Sequence, residues 1–195
     1  MPAMNIKEIL PAVTRKEFRQ WLVENHARAT ECWVCIKKSA PQPENDTLYY
    51  LDAVEEALCF GWIDSTNKVT GGKHLQRFSP RAKNSSWSEL NKERCRRLEK
   101  LGLMTDAGRK VMPDLSNDDF RIDDEIIEAF KANPEAQANF RQFPELYRRV
   151  RIDTIQRDKQ KDINIFRSRL ARLVHNSEQG KMYGAWNDYG RLLSY

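Results

Sequence analysis

The chain has 195 residues, of which 40% are hydrophobic and 31% are charged, and its formal net charge at pH 7 is +5. This composition excludes disordered, collagen-like and disulfide-dense proteins, and the length allows one domain or two small ones. No apolar run approaches the roughly 20 residues that span a bilayer, and Met1–Glu8 lacks the basic and apolar regions of a secretory signal. Four cysteines without an export signal indicate reduced thiols and a cytoplasmic protein.

Charge is distributed in alternating blocks. Residues 73–101 carry nine Lys or Arg and three acids, and residues 113–135 carry eight acids and two basic residues. Residues 141–172 carry ten Lys or Arg and four acids. Such blocks can pair with one another, or they can present a basic face to nucleic acid or anionic lipid. Because mixed blocks are weaker evidence than a single basic stripe, we expect mostly solvated and mutually paired helix faces.

The first predicted helix extends from Thr14 to Asn25. Thr14 and Glu17 have the spacing of a capping box, in which each side chain satisfies a backbone amide of the first turn. Cys32–Lys38 is short and rich in β-forming residues and therefore predicts a strand. Ala40–Asp46 predicts a loop.

A short amphipathic helix is predicted over Tyr50–Leu58. Its apolar face contains Tyr50, Ala53, Val54 and Ala57. The opposite face contains three acids, which are Asp52, Glu55 and Glu56. Gly61 is placed to end this element or to let the backbone turn sharply.

A β-hairpin is predicted next, with strands over Trp62–Val69 and His74–Ser79 and a turn at Thr70–Lys73. Ser88 can cap a helix that continues to Leu101. Gly102 is placed to terminate that helix, and Thr105 to cap a further short one.

The C-terminal part is predicted to be helical. Pro113–Asn117 is typical of a linker, and the helical pattern begins at about Asp118, with breaks at Asn133–Pro134 and Phe143–Pro144. The predicted fold class is α+β: a small antiparallel sheet with a β-hairpin, packed by helices, over residues 1–112. A helical C-terminal unit follows over residues 118–195.

Several segments resemble the YdeI/OmpD-associated family, also called bacteriocin-protection proteins. They lie within about residues 15–110 and are Tyr50–Asp64 with its Ala-Leu-Cys-Phe-Gly-Trp-Ile-Asp core, Arg77–Arg81, Ser85–Asn91 and Leu101–Gly108. Pro144–Arg149 and the basic helix ending near Gly180 resemble the family's C-terminal module more loosely. There the expected Ala-Lys and Glu-Thr-Arg pattern is replaced by Arg157-Asp-Lys and Lys161-Asp-Ile. The resemblance implies a cytoplasmic bacterial protein linked to tolerance of cationic peptides or bacteriocins, with no established catalytic residue or cofactor.

Aromatic, charged and amide side chains are concentrated in the hairpin and the helix after it. Period-two alternation predicts that one face of the first strand carries Trp62, Asp64, Thr66 and Lys68. Helical spacing places Asn91 and Arg94 on the inward face of the following helix, where their polar groups need hydrogen-bond partners. We therefore predict a cluster of eight residues, which are Trp62, Asp64, Arg77, Arg81, Trp87, Ser88, Asn91 and Arg94.

Two interpretations of this cluster stay open. In the first, tryptophans line a pocket in which arginines and the amides at the helix start hold an anion. Arg81→Ala would then abolish binding with little change in stability. In the second, a structural network joins hairpin and helix, and removing Asp64 would cost roughly 3–5 kcal/mol.

No complete catalytic, metal or cofactor motif accompanies these residues. Cys32 and Cys35 lie in a strand pattern, where positions i and i+3 point to opposite faces, and no second close pair completes a zinc site. The sequence therefore predicts free cysteines, no metal and no cofactor. Asp64, His74 and a nearby serine could form a triad, but no nucleophile-elbow pattern surrounds the serines. There is no phosphate-binding glycine loop.

Three functions follow from these patterns. The first is a non-enzymatic stress or envelope-tolerance protein that binds an anionic small molecule, a lipid headgroup or a protein partner. The second is an enzyme of unknown reaction that uses Asp64 and His74. The third is a nucleic-acid-binding protein that uses its basic helices, above all a helix over Arg148–Arg172.

Overall fold

The computed structural model of the protein describes residues 9–11, 14–42, 47–83, 85–116 and 120–195. These residues divide into two compact units. Unit 1 contains the described residues up to Ser86 and those from Arg94 to Pro113. Unit 2 contains Trp87–Glu93 and the described residues from Asp114 to Tyr195. The predicted division into residues 1–112 and 118–195 stays a prediction.

Four strands of unit 1 form one sheet in the order β1-β2-β4-β3. They are β1 (Ile9–Leu10), β2 (Cys32–Ile36), β3 (Trp62–Thr70) and β4 (Lys73–Pro80). The antiparallel pairs β2–β4 and β3–β4 agree with the predicted sheet, whereas β1 pairs with β2 in parallel and makes the sheet mixed. A strand of only two residues has no detectable alternation, which is why the sequence did not indicate it.

The hairpin turn and one irregularity determine which strand residues share a face. Gly71 and Gly72 connect β3 to β4 with φ of +56° and +73°, a conformation that glycine adopts without steric cost. The register then shifts by one residue between Asp64 and Asn67, as in a β-bulge. Asn67 therefore lies on the same face as Asp64, and the prediction that Thr66 shares that face is wrong. The same correction applies to Lys68, the next alternate position along the strand.

Four helices belong wholly or partly to unit 1: α1 (Arg15–Asn25), α2 (Tyr50–Cys59), α3 (Glu89–Lys100) and α4 (Asp106–Val111). The capping box at the start of α1 is confirmed, since Glu17 N donates to Thr14 Oγ1 and Thr14 N donates to Glu17 Oε2. Gly61 follows α2 with φ of +74°, and Gly102 follows α3 with φ of +67°. Ser88 and Thr105 accept hydrogen bonds at the starts of α3 and α4 as predicted.

Unit 2 contains four further helices: α5 (Asp124–Lys131), α6 (Pro134–Gln142), α7 (Glu145–Gln156) and α8 (Ile163–Glu178). The predicted breaks before Pro134 and at Pro144 are confirmed. The single basic helix predicted over Arg148–Arg172 is wrong, because a turn separates α7 from α8 and Asp162 caps α8 through the amide of Asn164. Apolar side chains of all four helices form the core, including Ile126, Phe130, Tyr147, Val150, Phe166 and Leu173.

These elements confirm the α+β class with a helical C-terminal region. Residues 120–195 are all described and contain no strand. Met1–Glu8, residues 43–46 of the predicted loop, Asn117 of the predicted linker and the predicted helix start at Asp118 lie outside the described residues. Among the described helices, none has the length and apolarity needed to cross a membrane.

Candidate functional site

In unit 1 the hairpin residues of the predicted cluster each have a partner close by. Trp62 is 1% exposed, donates through Nε1 to the carbonyl of His26 at 3.2 Å and packs edge-on against Trp21. Asp64 Oδ2 accepts a hydrogen bond of 2.7 Å from the hydroxyl of Tyr50. Trp62 is thus a core side chain, and Asp64 is tied to the start of α2.

The strand register separates Arg77 from Asp64. Asp64 lies opposite Phe78, and opposed residues of an antiparallel pair share a face, so Arg77 lies on the other face. There Arg77 donates to Glu31 Oε2 at 2.9 and 2.6 Å and to Ser65 Oγ at 3.1 Å. Asp64 and Arg77 therefore do not pair with each other, although both belong to the predicted cluster.

Arg81 and Arg94 are both buried, at 8% and 9% exposure. Arg81 Nη1 donates to Ser85 Oγ at 2.9 Å and to the carbonyl of Ser86 at 3.0 Å, and these bonds tie together the segment after β4. Replacing a buried, hydrogen-bonded arginine lowers stability, so Arg81→Ala changes more than a ligand contact. A role of Arg81 in anion binding stays a prediction.

The other members of the predicted cluster, Trp87, Ser88 and Asn91, belong to unit 2. Asn91 N donates to Ser88 Oγ at 3.2 Å, which is the expected helix cap. The amide of Glu89, at the same helix start, donates to Asp153 Oδ2 at 3.1 Å. The carboxylate of Asp153, a buried residue of α7, thus occupies one of the helix-start amides that could hold an anion in the first interpretation. Burial raises the pKa of Asp153, and the hydrogen bond from Glu89 N opposes that rise.

Asp64 and His74 are too far apart for direct acid–base chemistry. His74 is four residues from Phe78 along β4, and Asp64 lies opposite Phe78. At the usual rise per residue, this spacing corresponds to about 13 Å. His74 Nδ1 instead lies 3.4 Å from Asn67 Oδ1. The register thus gives no support to the predicted enzyme that would use this pair.

Unit 1 also contains a carboxylate–arginine cluster that the sequence analysis did not anticipate. It consists of three acids of α2 and three arginines of α1 and α3, which are Asp52, Glu55, Glu56, Arg15, Arg19 and Arg97. The acids are 6%, 0% and 2% exposed, so the acidic face of α2 is buried as fully as its apolar face.

Glu56 and Glu55 each hold two arginines of this cluster. Glu56 Oε1 lies 2.6 Å from Arg15 Nε, and its Oε2 lies 2.6 Å from Arg19 Nη1. Glu55 Oε2 lies 2.9 Å from Arg15 Nη1, and its Oε1 lies 2.9 Å from Arg97 Nη1. Burial alone would lower the pKa of Arg15, but Glu56 and Glu55 more than offset it and raise that pKa. The cluster is thereby held in its charged form.

A sequence signal for this cluster exists. The helix Tyr50–Cys59 has three acids and no Lys or Arg that could pair with them within the helix. Arg15 and Arg19 are four residues apart, so they lie on one face of α1. Acids without local partners, together with two arginines on one helix face, indicate long-range ion pairs.

Unit 2 has a comparable centre at Arg149, which is 7% exposed. Arg149 Nη2 lies 2.8 Å from Glu93, and Nη1 lies 3.0 Å from Glu145. Arg149 Nε and Glu89 Oε2 face each other at 3.0 Å as an ion pair without hydrogen-bond geometry. Three carboxylates therefore neutralise this buried guanidinium.

Beside Arg149 lies an apolar groove of about 400 Å³. Its walls come from α5, α6, α7 and the segment before α5, and its lining residues are Phe120, Ile122, Ile126, Ile127, Phe130, Gln137, Phe140, Arg141, Glu145, Arg148, Arg149 and Ile152. Seven of these twelve residues are apolar, and the polar ones include three arginines and one glutamate. Within the described part of the chain, the buried Nε of Arg148 has no hydrogen-bond partner. The groove thus combines an apolar lining with a guanidinium that is not fully hydrogen-bonded among the described residues.

All four cysteines are free thiols. Burial raises the pKa of Cys32, Cys59 and Cys95 to about 12, whereas Cys35 is half-buried. Among the described residues, no three or more side chains of His, Cys, Asp or Glu come together as metal ligands. That the protein binds no metal stays a prediction.

These features define a two-unit α+β protein with a mixed-sheet unit and a helical unit. The chain belongs to the family of a domain of unknown function, DUF8412, whose family model matches residues 10–111, more than half of the chain. Residues 119–180 match a second family model, described as bacteriocin-protection, YdeI or OmpD-associated, and this confirms the predicted family. The sequence motifs placed the closer resemblance within residues 15–110, whereas this match falls in the helical unit. Neither a curated protein nor a solved structure matches the chain.

Glu55→Gln is expected to destabilise the protein strongly. The substitution keeps the shape of a fully buried side chain but removes the charge that Arg15 and Arg97 share. A broken buried ion pair costs about 3–5 kcal/mol, and we expect a loss near the lower end because Arg15 keeps Glu56. Urea denaturation monitored by circular dichroism measures the loss. Glu99→Gln is the control, since Glu99 pairs with Arg109 at the surface and should cost less than about 1 kcal/mol. Equal losses would contradict a special role for the buried cluster.

Thiol labelling should separate Cys35 from the other cysteines. Thiolates react and thiols do not, so at pH 8, well below a pKa of about 12, Cys32, Cys59 and Cys95 stay protonated. Intact-mass spectrometry after brief iodoacetamide treatment should show one label on the native protein and four on the unfolded protein. Rapid native labelling at Cys59 or Cys95, bound zinc or an obligatory disulfide would contradict the expectation.

Proposed function

We propose that the protein is a non-enzymatic binding protein of the bacteriocin-protection kind. Its ligand in this proposal is an amphiphile with an apolar chain and an anionic head, held in the groove of unit 2. The observation that carries the proposal is the position of the groove. Its lining residues run from Phe120 to Ile152, and all of them fall within the stretch 119–180 that matches the bacteriocin-protection family.

The size and lining of the groove suit an apolar chain. Small-molecule sites typically measure roughly 300–1,000 Å³ and combine an apolar lining with a few placed polar groups, and the groove has about 400 Å³. Ile122, at its edge, is 40% exposed. A chain that covers such a side chain removes apolar surface from water and gains about 25 cal/mol per Å² buried.

The charge of the groove favours an anionic head group. Arg149 is already neutralised by Glu89, Glu93 and Glu145. Arg148, its neighbour in sequence, has a buried Nε without a partner in the described part of the chain. The Arg148 side chain is half-buried and lines the groove, so its guanidinium can form a charge-assisted hydrogen bond with a carboxylate or phosphate there.

We propose that the protein acts in the cytoplasm, because its four free cysteines suit a reducing compartment. Binding an anionic amphiphile of the envelope would link it to tolerance of cationic peptides or bacteriocins. This reading requires neither a catalytic residue nor a cofactor.

Titration with cis-parinaric acid, a fluorescent fatty acid, tests the groove directly. The wild type should bind the acid more tightly than its methyl ester, because only the acid offers a carboxylate to Arg148. Arg148→Gln should weaken binding of the acid about 10-fold, the equivalent of one charge-assisted hydrogen bond, and leave the ester unchanged. Ile122→Ser should weaken both ligands, because it removes apolar contact.

Arg167→Gln is the matched control, since it removes the same charge from an exposed position of α8 outside the groove. Two results would contradict the proposal. One is a wild type that binds neither ligand, and the other is an Arg148→Gln variant that loses acid and ester equally.

In bacteria that lack their own copy, wild type but not Arg148→Gln should restore survival under a cationic bacteriocin. Equal protection by wild type and Arg148→Gln would show that binding in the groove is not needed for tolerance of the bacteriocin.

A further inference from the structure

A second cluster in unit 2, outside the groove, consists of Arg151, Tyr183 and Arg172, which we term the arginine–tyrosine stack. The Cζ atom of Arg151 lies 5.6 Å from the centre of the Tyr183 ring, and that of Arg172 lies 4.7 Å from it. Arg151 comes from α7, Arg172 from α8, and Tyr183 from the segment after α8. Two guanidinium groups thus converge on one aromatic ring.

The stack holds positive charge that its surroundings do not neutralise. In the part of the chain that the structure describes, neither Arg151 nor Arg172 has a carboxylate partner. Arg169, one turn from Arg172 on α8, pairs with Asp158. Burial lowers the pKa of Arg151, Tyr183 and Tyr147 oppose that change, and repulsion from Arg169 and Arg172 adds a smaller lowering. Crowded like charges of this kind are stabilised when an anion joins them.

The backbone holds the stack in place. Arg151 Nη2 donates to the carbonyl of Ala185 at 2.7 Å, and Tyr183 N donates to the hydroxyl of the buried Tyr147 at 3.3 Å. Gly184 has φ of +74°, and a Cβ there would lie 2.5 Å from Arg151 Nη1. Glycine at this position therefore leaves room for the guanidinium.

The three side chains of the stack are each at least partly exposed, so a ligand can reach them. The Nε of Arg151 is buried without a hydrogen-bond partner among the described residues. Arg172 is exposed, and Tyr183 is half-buried. Planar guanidinium groups donate two parallel hydrogen bonds to phosphate oxygens, which ammonium groups cannot do.

We propose that the arginine–tyrosine stack is a binding site for a phosphate group. Arg151 and Arg172 donate to the phosphate oxygens, and the Tyr183 ring keeps the two guanidinium groups in position. The phosphate belongs either to a soluble phosphate ester or to a lipid headgroup. The site is independent of the proposed groove, because none of its three residues lines the groove.

Isothermal titration calorimetry of the full chain with inorganic phosphate tests this site. Arg172→Gln should weaken phosphate binding about 10- to 100-fold, as expected for a lost charge-assisted contact. Arg167→Gln removes the same charge from the same helix and should change the affinity less than about 2-fold. Gly184→Ala should also weaken binding, although it leaves the net charge unchanged, and circular dichroism should confirm that the variant is folded.

Two further binding assays distinguish a lipid headgroup from a soluble phosphate ester as the source of the phosphate. Flotation with phosphatidylglycerol vesicles, compared with phosphatidylcholine vesicles, reports binding to a lipid headgroup, and titration with glycerol 3-phosphate reports binding to a soluble ester. Sensitivity to Arg172→Gln in either assay supports the site. The proposal is overturned if wild type binds no phosphate at millimolar concentration, or if Arg167→Gln matches Arg172→Gln. It is also overturned if only RNA or DNA binds, with a steep dependence on salt.

Discussion

A buried charge is tolerated in a protein only when other charges and hydrogen bonds satisfy it, and in this chain that requirement governs how the helices pack. In unit 1, α2 places Glu55 and Glu56 in the interior, and arginines of α1 and α3 converge on them. In unit 2, the buried Arg149 of α7 draws in Glu93 from the start of α3. Removing a single member of either set would leave its partners with fewer compensating charges, so these elements have few alternative ways to pack.

The same requirement separates arginines that support the fold from arginines that are available to a ligand. Arg149 forms ion pairs with three carboxylates, so its charge is already compensated within the protein. Arg148 lines the groove, and Arg151 belongs to the arginine–tyrosine stack. Each has an Nε atom without a hydrogen-bond partner among the described residues. Neighbouring positions of one helix thus carry different roles. The distinction depends on the surrounding carboxylates and is invisible in a count of basic residues.

Local signals predicted the elements well, and long-range pairing explains what they missed. Capping residues such as Thr14 and Ser88, the glycine turn of the hairpin and the breaks at Pro134 and Pro144 act within a few residues, so the sequence displays them directly. The bulge after Asp64 depends on how two strands align, and it reversed the faces that simple alternation predicts. The acidic face of α2 looked solvent-exposed because its partners lie on other helices. The predicted cluster around Asp64 likewise depended on side-chain directions, and the groove depended on how four segments come together.

We propose that unit 2 binds an anionic amphiphile in its apolar groove. Methyl NMR of isoleucine-labelled protein, titrated with dodecanoate, tests this claim without relying on any substitution. We expect saturable shifts at Ile122, Ile126 and Ile127, which line the groove, and no change at Ile36 and Ile63 of the unit 1 sheet. Shifts confined to unit 1, or no saturable shift at the groove isoleucines, would contradict the account.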